Sequence, residues 1–432
     1  MDKRSKITPK YKAYNLSNFQ NIPMFKSQPK SIIDAINIVG RVLPFKVNNY
    51  IIDELIDWSN IPDDPLYTLV FPRRLMLTDK HYAAVEKLIK KKASETEINF
   101  TINEIRKELN PHPSGQHDNV PLLNGKPVSG VQHKYAETLL FFPARGQSCH
   151  AYCTFCFRWP QFTKMEGEKF SRSRVDRILE YIRINPSITD ILITGGDAMI
   201  MNSTVLGIYL NAIIDAKIPH LQNIRIGTKA LSYWPYKFID EPDSDHILRL
   251  FEKVNKSGLH LAFMAHLNHP RELKTDAVRK AIIRIRNTGA IIRSQGPILR
   301  HINDRPELWV EMWKTQIKLG IIPYYMFVAR DTGAHHFFSL PLVKTHKIFY
   351  KAYRNISGLG RSIRGPVMST NPGKIQILGV TKFKSKKVIE LIMLQARNKD
   401  MVGKPFFAKY NKKATWIDEL EPGGGKTKFP FE

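Results

Sequence analysis

The sequence predicts an α/β fold: a partial (β/α)6 barrel with a helical N-terminal extension and a small C-terminal extension. Between residues 138 and 328, six short apolar runs alternate with amphipathic stretches. Each run is short enough to be covered by the helix that follows it, which is the βα unit of a parallel sheet. No GxGxxG follows any of the runs, which weakens a dinucleotide-binding reading.

Three segments follow from this, 1–135, 136–345 and 346–432. The first is mainly helical: HYAAVEKLIKKKA (81–93) and INEIRKEL (102–109) carry apolar groups at helical spacing. The proline- and glycine-rich stretch 110–130 is a connector, too irregular for a core element. The strands of the second segment are TLLFF (138–142), DILIT (190–194), IRIGT (224–228), LHLAFMA (259–265), AIIRS (290–294) and IIPYYMFV (321–328). Helices are expected at 175–184, 244–254 and 276–287. Ligands belong at the C-terminal ends of such strands. After residue 345 the pattern is less regular, and the chain closes on ELEPGGGKTKFPFE.

With 432 residues, 43% of them hydrophobic, the chain can bury a substantial core. It contains no run of 18 apolar residues, and MDKRSKITPKYKAY lacks the apolar core of a signal peptide. A cytoplasmic protein with no membrane span is expected, and three cysteines cannot build a disulfide framework. The 66 Lys and Arg against 39 Asp and Glu give a net charge of +27. That field attracts RNA, an acidic protein or anionic small molecules. The lysines are scattered, however, and are not interleaved with aromatics as in a nucleic-acid-binding module, so no motif supports an RNA or acidic protein partner.

The three cysteines all lie in CHAYCTFC, as Cys149, Cys153 and Cys156, spaced C-x3-C-x2-C in a loop after the first predicted barrel strand. Thiolates are the usual ligands of a [4Fe–4S] cluster, and three of them leave one iron open. Zinc, which prefers four ligands, and unrelated buried thiols are the competing readings. Tyr152, Phe155, Phe157 and Trp159 would shield a cluster or serve as ordinary core. TGGD (194–197) follows the second strand, and two glycines there permit a close backbone approach.

The cysteine spacing at the head of six βα units resembles the radical S-adenosylmethionine superfamily. The stretches GVQHKYAETLLFFPARGQSCHAYCTFCFR, DILITGGDAM, IRIGTKA, HLNHPREL, IIRSQGPILRHIND, LGIIPYY and GAHHF narrow the resemblance to the lysine 2,3-aminomutase family. It implies a radical SAM partial barrel in which Cys149, Cys153 and Cys156 hold the cluster. The open iron would chelate S-adenosyl-L-methionine, whose amino group meets Gly195, Gly196 and Asp197. It implies pyridoxal 5′-phosphate on a lysine, for which Lys374 in STNPGK fits the family spacing from His336 and Lys426 in PGGGK fits the lettering. Arg158 matches the arginine that grips the substrate carboxylate, and Tyr325 and His336 are expected near the cofactor.

The implied activity is a 2,3-aminomutase-like isomerase that turns a small α-amino acid into a β-amino acid. Its electron donor would be a reducing protein such as flavodoxin or ferredoxin, and a homodimer is compatible. The positions at which lysine enzymes of the family hold the distal amine with aspartates are Ala329 and Thr370 here, so free L-lysine is not the expected substrate. A lysine of a protein such as a translation elongation factor, or RNA, are the alternative substrates of the same radical chemistry.

Overall fold

The structure, a computed structural model, describes residues 9–111, 119–163 and 175–432. Its centre is one eleven-stranded sheet in which every strand lies beside its sequence neighbours. The strands are β1 (Val131–Tyr135), β2 (Thr138–Phe141), β3 (Asp190–Ile193), β4 (Asn223–Thr228), β5 (His260–His266), β6 (Ile291–Ile298), β7 (Ile322–Val328), β8 (Arg364–Ser369), β9 (Gly373–Phe383), β10 (Lys386–Ala396) and β11 (Pro405–Lys409). From β2 to β8 all pairings are parallel. The outer strands β1 and β9 to β11 pair antiparallel.

All six expected strands form, each an apolar run with at least alternate positions buried, as strands packed beneath helices must be. β6 runs four residues past the expected Ser294. Gly296 allows this: a Cβ there would sit 2.1 Å from the Leu267 carbonyl oxygen, so only glycine lets the two backbones come so close.

Six helices cross between the parallel strands: α4 (Val175–Arg183), α5 (Ser203–Asp215), α6 (Ser244–Lys256), α7 (Asp276–Asn287), α8 (Pro306–Lys318) and α9 (Leu342–Tyr353). They precede β3 to β8 in turn, giving the mixed α/β fold expected, six βα units and a closing parallel strand. α9 runs through residue 345, so the sheet continues past the point where the sequence pattern loosens.

The N-terminal third contributes α1 (Lys30–Val42), α2 (Asp79–Lys90) and α3 (Glu95–Glu108). Thr78 and Ser94 cap α2 and α3 by accepting from the N–H groups of His81 and Glu97. The Ser94 cap starts α3 seven residues before the expected Ile102. These helices share one apolar core with the barrel, Ile36, Val39 and Ile102 joining Leu139, Ile191 and Ile224. β9 to β11 pack on a second core of Leu342, Met368, Ile375, Leu391 and Trp416.

The sheet curls until the β1 edge approaches the segments after β8 and β10 through side chains. Lys134 on β1 donates to the Thr370 carbonyl beyond β8, and Lys399 lies 3.4 Å from Glu137. Among the described residues no helix is long and apolar enough to cross a membrane.

Candidate active site

The loop after β2 carries the half-buried Cys149, Cys153 and Cys156 as free thiols. Burial pushes all three up, Cys156 to about 12. The next causes for Cys149 are Asp197, Cys156 and Cys153, which marks the thiols as near neighbours of one another and of that carboxyl. The Cys153 thiol donates to the Tyr233 hydroxyl at 3.5 Å. Such thiols stay protonated until a metal cation takes them as thiolates. Among the described residues no group of three His, Cys, Asp or Glu side chains converges as a metal-ion site. Trp159 is buried core, donating from its indole to the Thr332 hydroxyl at 2.9 Å, whereas Phe157 is exposed.

The TGGD turn after β3 is fastened to this loop. The Asp197 N–H donates to the Ser148 carbonyl at 2.8 Å, and the Gly196 N–H to the Gly146 carbonyl at 3.1 Å. A Cβ on Gly196 would lie 2.5 Å from the Ser148 carbonyl oxygen, and one on Gly195 would lie 2.3 Å from Gln147 Nε2. The close approach these glycines permit is therefore to the cysteine loop itself. The buried Asp197 carboxylate accepts from Met199 N–H (2.9 Å), Thr228 Oγ1 (2.5 Å) and Lys229 N–H (2.8 Å). It braces the ends of β3 and β4 beneath the cysteines.

Lys229 and Glu272 were not singled out from the sequence, although both lie in stretches that carry the family resemblance. Lys229 Nζ meets the fully buried Glu272 carboxylate at 2.6 Å and Asn268 Oδ1 at 3.0 Å. This pair ties the C-terminal end of β4 to the turn after β5.

Arg158 is buried, with its guanidinium 4.5 Å from the Phe142 ring centroid and 5.1 Å from that of Phe157. Its Nη1 has no hydrogen-bond partner. Burial pushes it down to about 10, and Arg330 is among the further causes. Arg330 also stands over Phe157, at 5.3 Å, with its Nε 3.9 Å from Asp331. Two neighbouring arginines with donors to spare present a planar anion with a ready fork.

Lys374 projects from the start of β9 into the curled sheet. Its Nζ lies 4.6 Å from the Tyr135 ring centroid and 5.0 Å from that of Tyr325, and donates to Gln395 Oε1 at 2.5 Å. Gln395 is its cross-strand partner on β10. Gly373 makes that pairing possible, since a Cβ there would sit 2.1 Å from the Gln395 carbonyl oxygen. Burial, then Arg225, Lys134 and Arg364, hold the amine well below the usual lysine range. Arg225 is paired to Asp190, and Arg364 stands 4.9 Å from the Tyr325 ring.

Lys426 lies exposed on a turn beside β11, its N–H donating to the Gly423 carbonyl at 3.2 Å. Of the two candidate lysines, only Lys374 stands inside the curled sheet. Tyr325 is buried there beside it. His336 is not: it is exposed, and its Nε2–H donates to the Leu75 carbonyl at 3.0 Å. The segment after β7 turns His336 toward the N-terminal third. Ala329 and Thr370 are buried and uncharged, and the Thr370 hydroxyl donates to the Gly373 carbonyl.

A curled parallel sheet with three cysteines after its first parallel strand, a Gly-Gly-Asp turn beside them and an inward-facing lysine of lowered pKa across the barrel defines a class of cofactor-dependent α/β-barrel enzyme. No family model matches the chain. It is 36% identical over 293 residues to a protein of Aquifex aeolicus named "Putative L-lysine 2,3-aminomutase", covering 68% of this chain and 74% of that one. L-lysine 2,3-aminomutase of Bacillus subtilis is 30% identical over 49% of this chain and 42% of its own length. Glutamate 2,3-aminomutase of Clostridioides difficile is 26% identical over 49% of this chain and 47% of its own length. The chain thus matches about half the length of the latter two.

Among solved structures, a radical SAM methyltransferase from Sphaerobacter thermophilus overlaps with a TM-score of 0.36 at 11% identity, covering 68% of this chain and 94% of that one. Streptococcus suis SuiB bound to S-adenosylmethionine overlaps with 0.36 at 14%, covering 63% and 56%. Overlaps this loose carry no argument. The chain belongs to the lysine 2,3-aminomutase family of radical S-adenosylmethionine enzymes. The cofactor set of that family is a [4Fe–4S] cluster, S-adenosylmethionine and pyridoxal phosphate.

Proposed function

We propose that this chain is a pyridoxal-phosphate-dependent 2,3-aminomutase-like isomerase that converts an α-amino acid other than free L-lysine into its β-isomer. The observation that carries the reading is Lys374, whose amine lies between two tyrosine rings and is held well below the usual lysine range by burial and by neighbouring cations. A lowered pKa favours the neutral form that can attack an aldehyde, and Lys134 and Arg364 are cationic neighbours for a phosphate ester. Cys149, Cys153 and Cys156 would hold the iron–sulfur cluster, with the Gly195–Gly196–Asp197 turn as its floor. Arg158 would bind the substrate carboxylate through its unpartnered Nη1. When bound, the cluster and S-adenosylmethionine supply one-electron cleavage chemistry, and pyridoxal phosphate supplies the carrier for the migrating nitrogen.

The choice against lysine rests on charge. Ala329 and Thr370 offer a distal ammonium no carboxylate, Arg330 acts on Lys134 nearby, and Asp331 lies beside Arg330. An unpaired ammonium among buried cations costs several kcal/mol. The glutamate-named relative fits a family whose substrates are not all cationic.

Borohydride treatment of the pyridoxal-phosphate-loaded protein, followed by peptide mapping, tests the central placement. The label is expected on Lys374; a label on Lys426, or on neither lysine, would overturn it. In anaerobic turnover read by mass spectrometry, L-lysine is expected to be converted poorly. Efficient formation of β-lysine would defeat the substrate reading while leaving the placement of Lys374 intact.

A further inference from the structure

The N-terminal third carries no sequence motif, yet it supplies much of what holds the cysteine loop. The Tyr11 hydroxyl donates to the His150 carbonyl at 2.8 Å. Lys46 Nζ donates to the Cys149 carbonyl at 2.7 Å. The fully buried Asn48 side chain donates to the His150 carbonyl at 3.3 Å and to the Tyr233 carbonyl at 2.9 Å. In return, the N–H groups of Tyr152 and Thr154 donate to the carbonyls of Lys46 and Leu69 at 2.8 and 2.9 Å, and the Thr154 hydroxyl donates to the Thr68 carbonyl at 2.7 Å.

A loop has no ladder of its own, so its buried backbone groups need partners elsewhere. From Cys149 to Thr154 most of those partners come from residues 11 to 69, more than 80 positions away in the chain, the Cys153 carbonyl being met inside the loop by the Cys156 N–H. Asn48 also reaches Tyr233, whose hydroxyl accepts from the Cys153 thiol, so one buried amide joins the loop to the end of β4. Lys46 adds charge. Its ammonium bonds the carbonyl of a candidate cluster ligand and lies 5.8 Å from the Tyr152 ring. Among the described residues no carboxylate forms an ion pair with it.

We infer that the N-terminal third is the fixed mount of the cysteine loop, and that Lys46 is a positioning residue which holds Cys149 in place and lends its positive charge to the iron–sulfur site. The inference rests on the reading that this loop binds a cluster. Reduction makes a cluster more negative, and a nearby cation favours the reduced form; potentials respond to such charges and to hydrogen bonding around the ligands. Lys46 therefore raises the potential and slows loss of iron.

The test compares wild type, Lys46→Met and Lys46→Arg after anaerobic reconstitution, with the fold of each checked by circular dichroism. The midpoint potential is read by redox titration, and iron release is followed in excess chelator. Lys46→Met is expected to titrate at a more negative potential and to lose iron about ten-fold faster, the scale of one charge-assisted hydrogen bond. Lys46→Arg, which keeps the charge and a donor, is expected to recover much of both. A Lys46→Met protein that folds but assembles no cluster, while Lys46→Arg does, also supports the mount. Wild-type potential and release in Lys46→Met would overturn the inference alone. A wild-type protein that assembles no cluster would overturn the reading of the loop, and the inference with it.

Discussion

Lys374 and Lys134 share the gap in the curled sheet, and burial lowers the pKa of both, with different neighbours adding to each shift. For Lys374, Gln395 Oε1 fixes the direction of the amine between the two tyrosine rings. Gln395→Leu is expected to weaken pyridoxal phosphate binding about five-fold, the worth of one buried hydrogen bond. Gln395→Glu places a carboxylate on the amine and favours its ammonium form, so the absorption band of the bound cofactor is expected to appear at higher pH than in wild type. An unchanged pH profile would show that Gln395 does not orient Lys374.

Lys134 is pushed down to about 7 by burial, then by Arg330 and Arg397. An unfolded lysine keeps its proton up to its ordinary value of 10.5. Between about 7 and 10.5 the unfolded chain therefore binds the extra proton, and this residue's contribution to stability rises with pH across that window. Urea unfolding of wild type and Lys134→Met at several pH values in that window should show the variant with the flatter rise; parallel pH curves would contradict the assignment.

At the level of elements, the turn after β3 and the loop after β2 form one unit because two glycines remove the atoms that would hold them apart. Gly196→Ala puts a methyl 2.5 Å from the Ser148 carbonyl oxygen, with backbone on the far side and no flexible side chain to yield. Overpacking of this kind costs about 1–3 kcal/mol, so urea unfolding should shift to lower denaturant and the reconstituted protein should hold less iron. Unaltered unfolding and iron content would mean that the two loops move apart freely.

The parallel strands and the cysteine loop were legible because apolar runs and C-x3-C-x2-C are local signals. The hairpin from β9 to β10 was not. Its turn is Lys384–Ser385, both with positive φ and neither of them glycine or asparagine, so the usual hairpin signature is missing. The turn Asn124–Gly125 shows the contrast: it has the favoured letters, and a small hairpin pairing Leu122–Leu123 with Lys126–Pro127 forms inside the expected connector. Without the β9–β10 register, Gln395 could not be matched to Lys374. Lys134 and Arg225 were hidden differently, as polar residues in strands whose inward direction depends on how the sheet curls.

Over the whole molecule, the net charge of +27 has an inner counterpart. Arg158, Arg330 and Lys134 lie on the inside with Lys374, an arrangement suited to a cofactor and a substrate that both arrive with anionic groups. The N-terminal third holds the cysteine loop through Tyr11, Lys46, Asn48, Thr68 and Leu69, and the antiparallel strands at the other end of the sheet bring Gln395 to Lys374. All three segments of the chain thus place side chains around one interior.

The central claim, that the loop from Cys149 to Cys156 binds a cluster able to cleave S-adenosylmethionine, is tested most directly by anaerobic reconstitution of wild type and Cys153→Ala. Iron and sulfide are measured, and 5′-deoxyadenosine is assayed after reduction with S-adenosylmethionine present. Wild type is expected to bind about four iron and four sulfide per chain and to release 5′-deoxyadenosine, and Cys153→Ala to release none. A wild type without a cluster, or a Cys153→Ala protein that still cleaves the sulfonium, would contradict it.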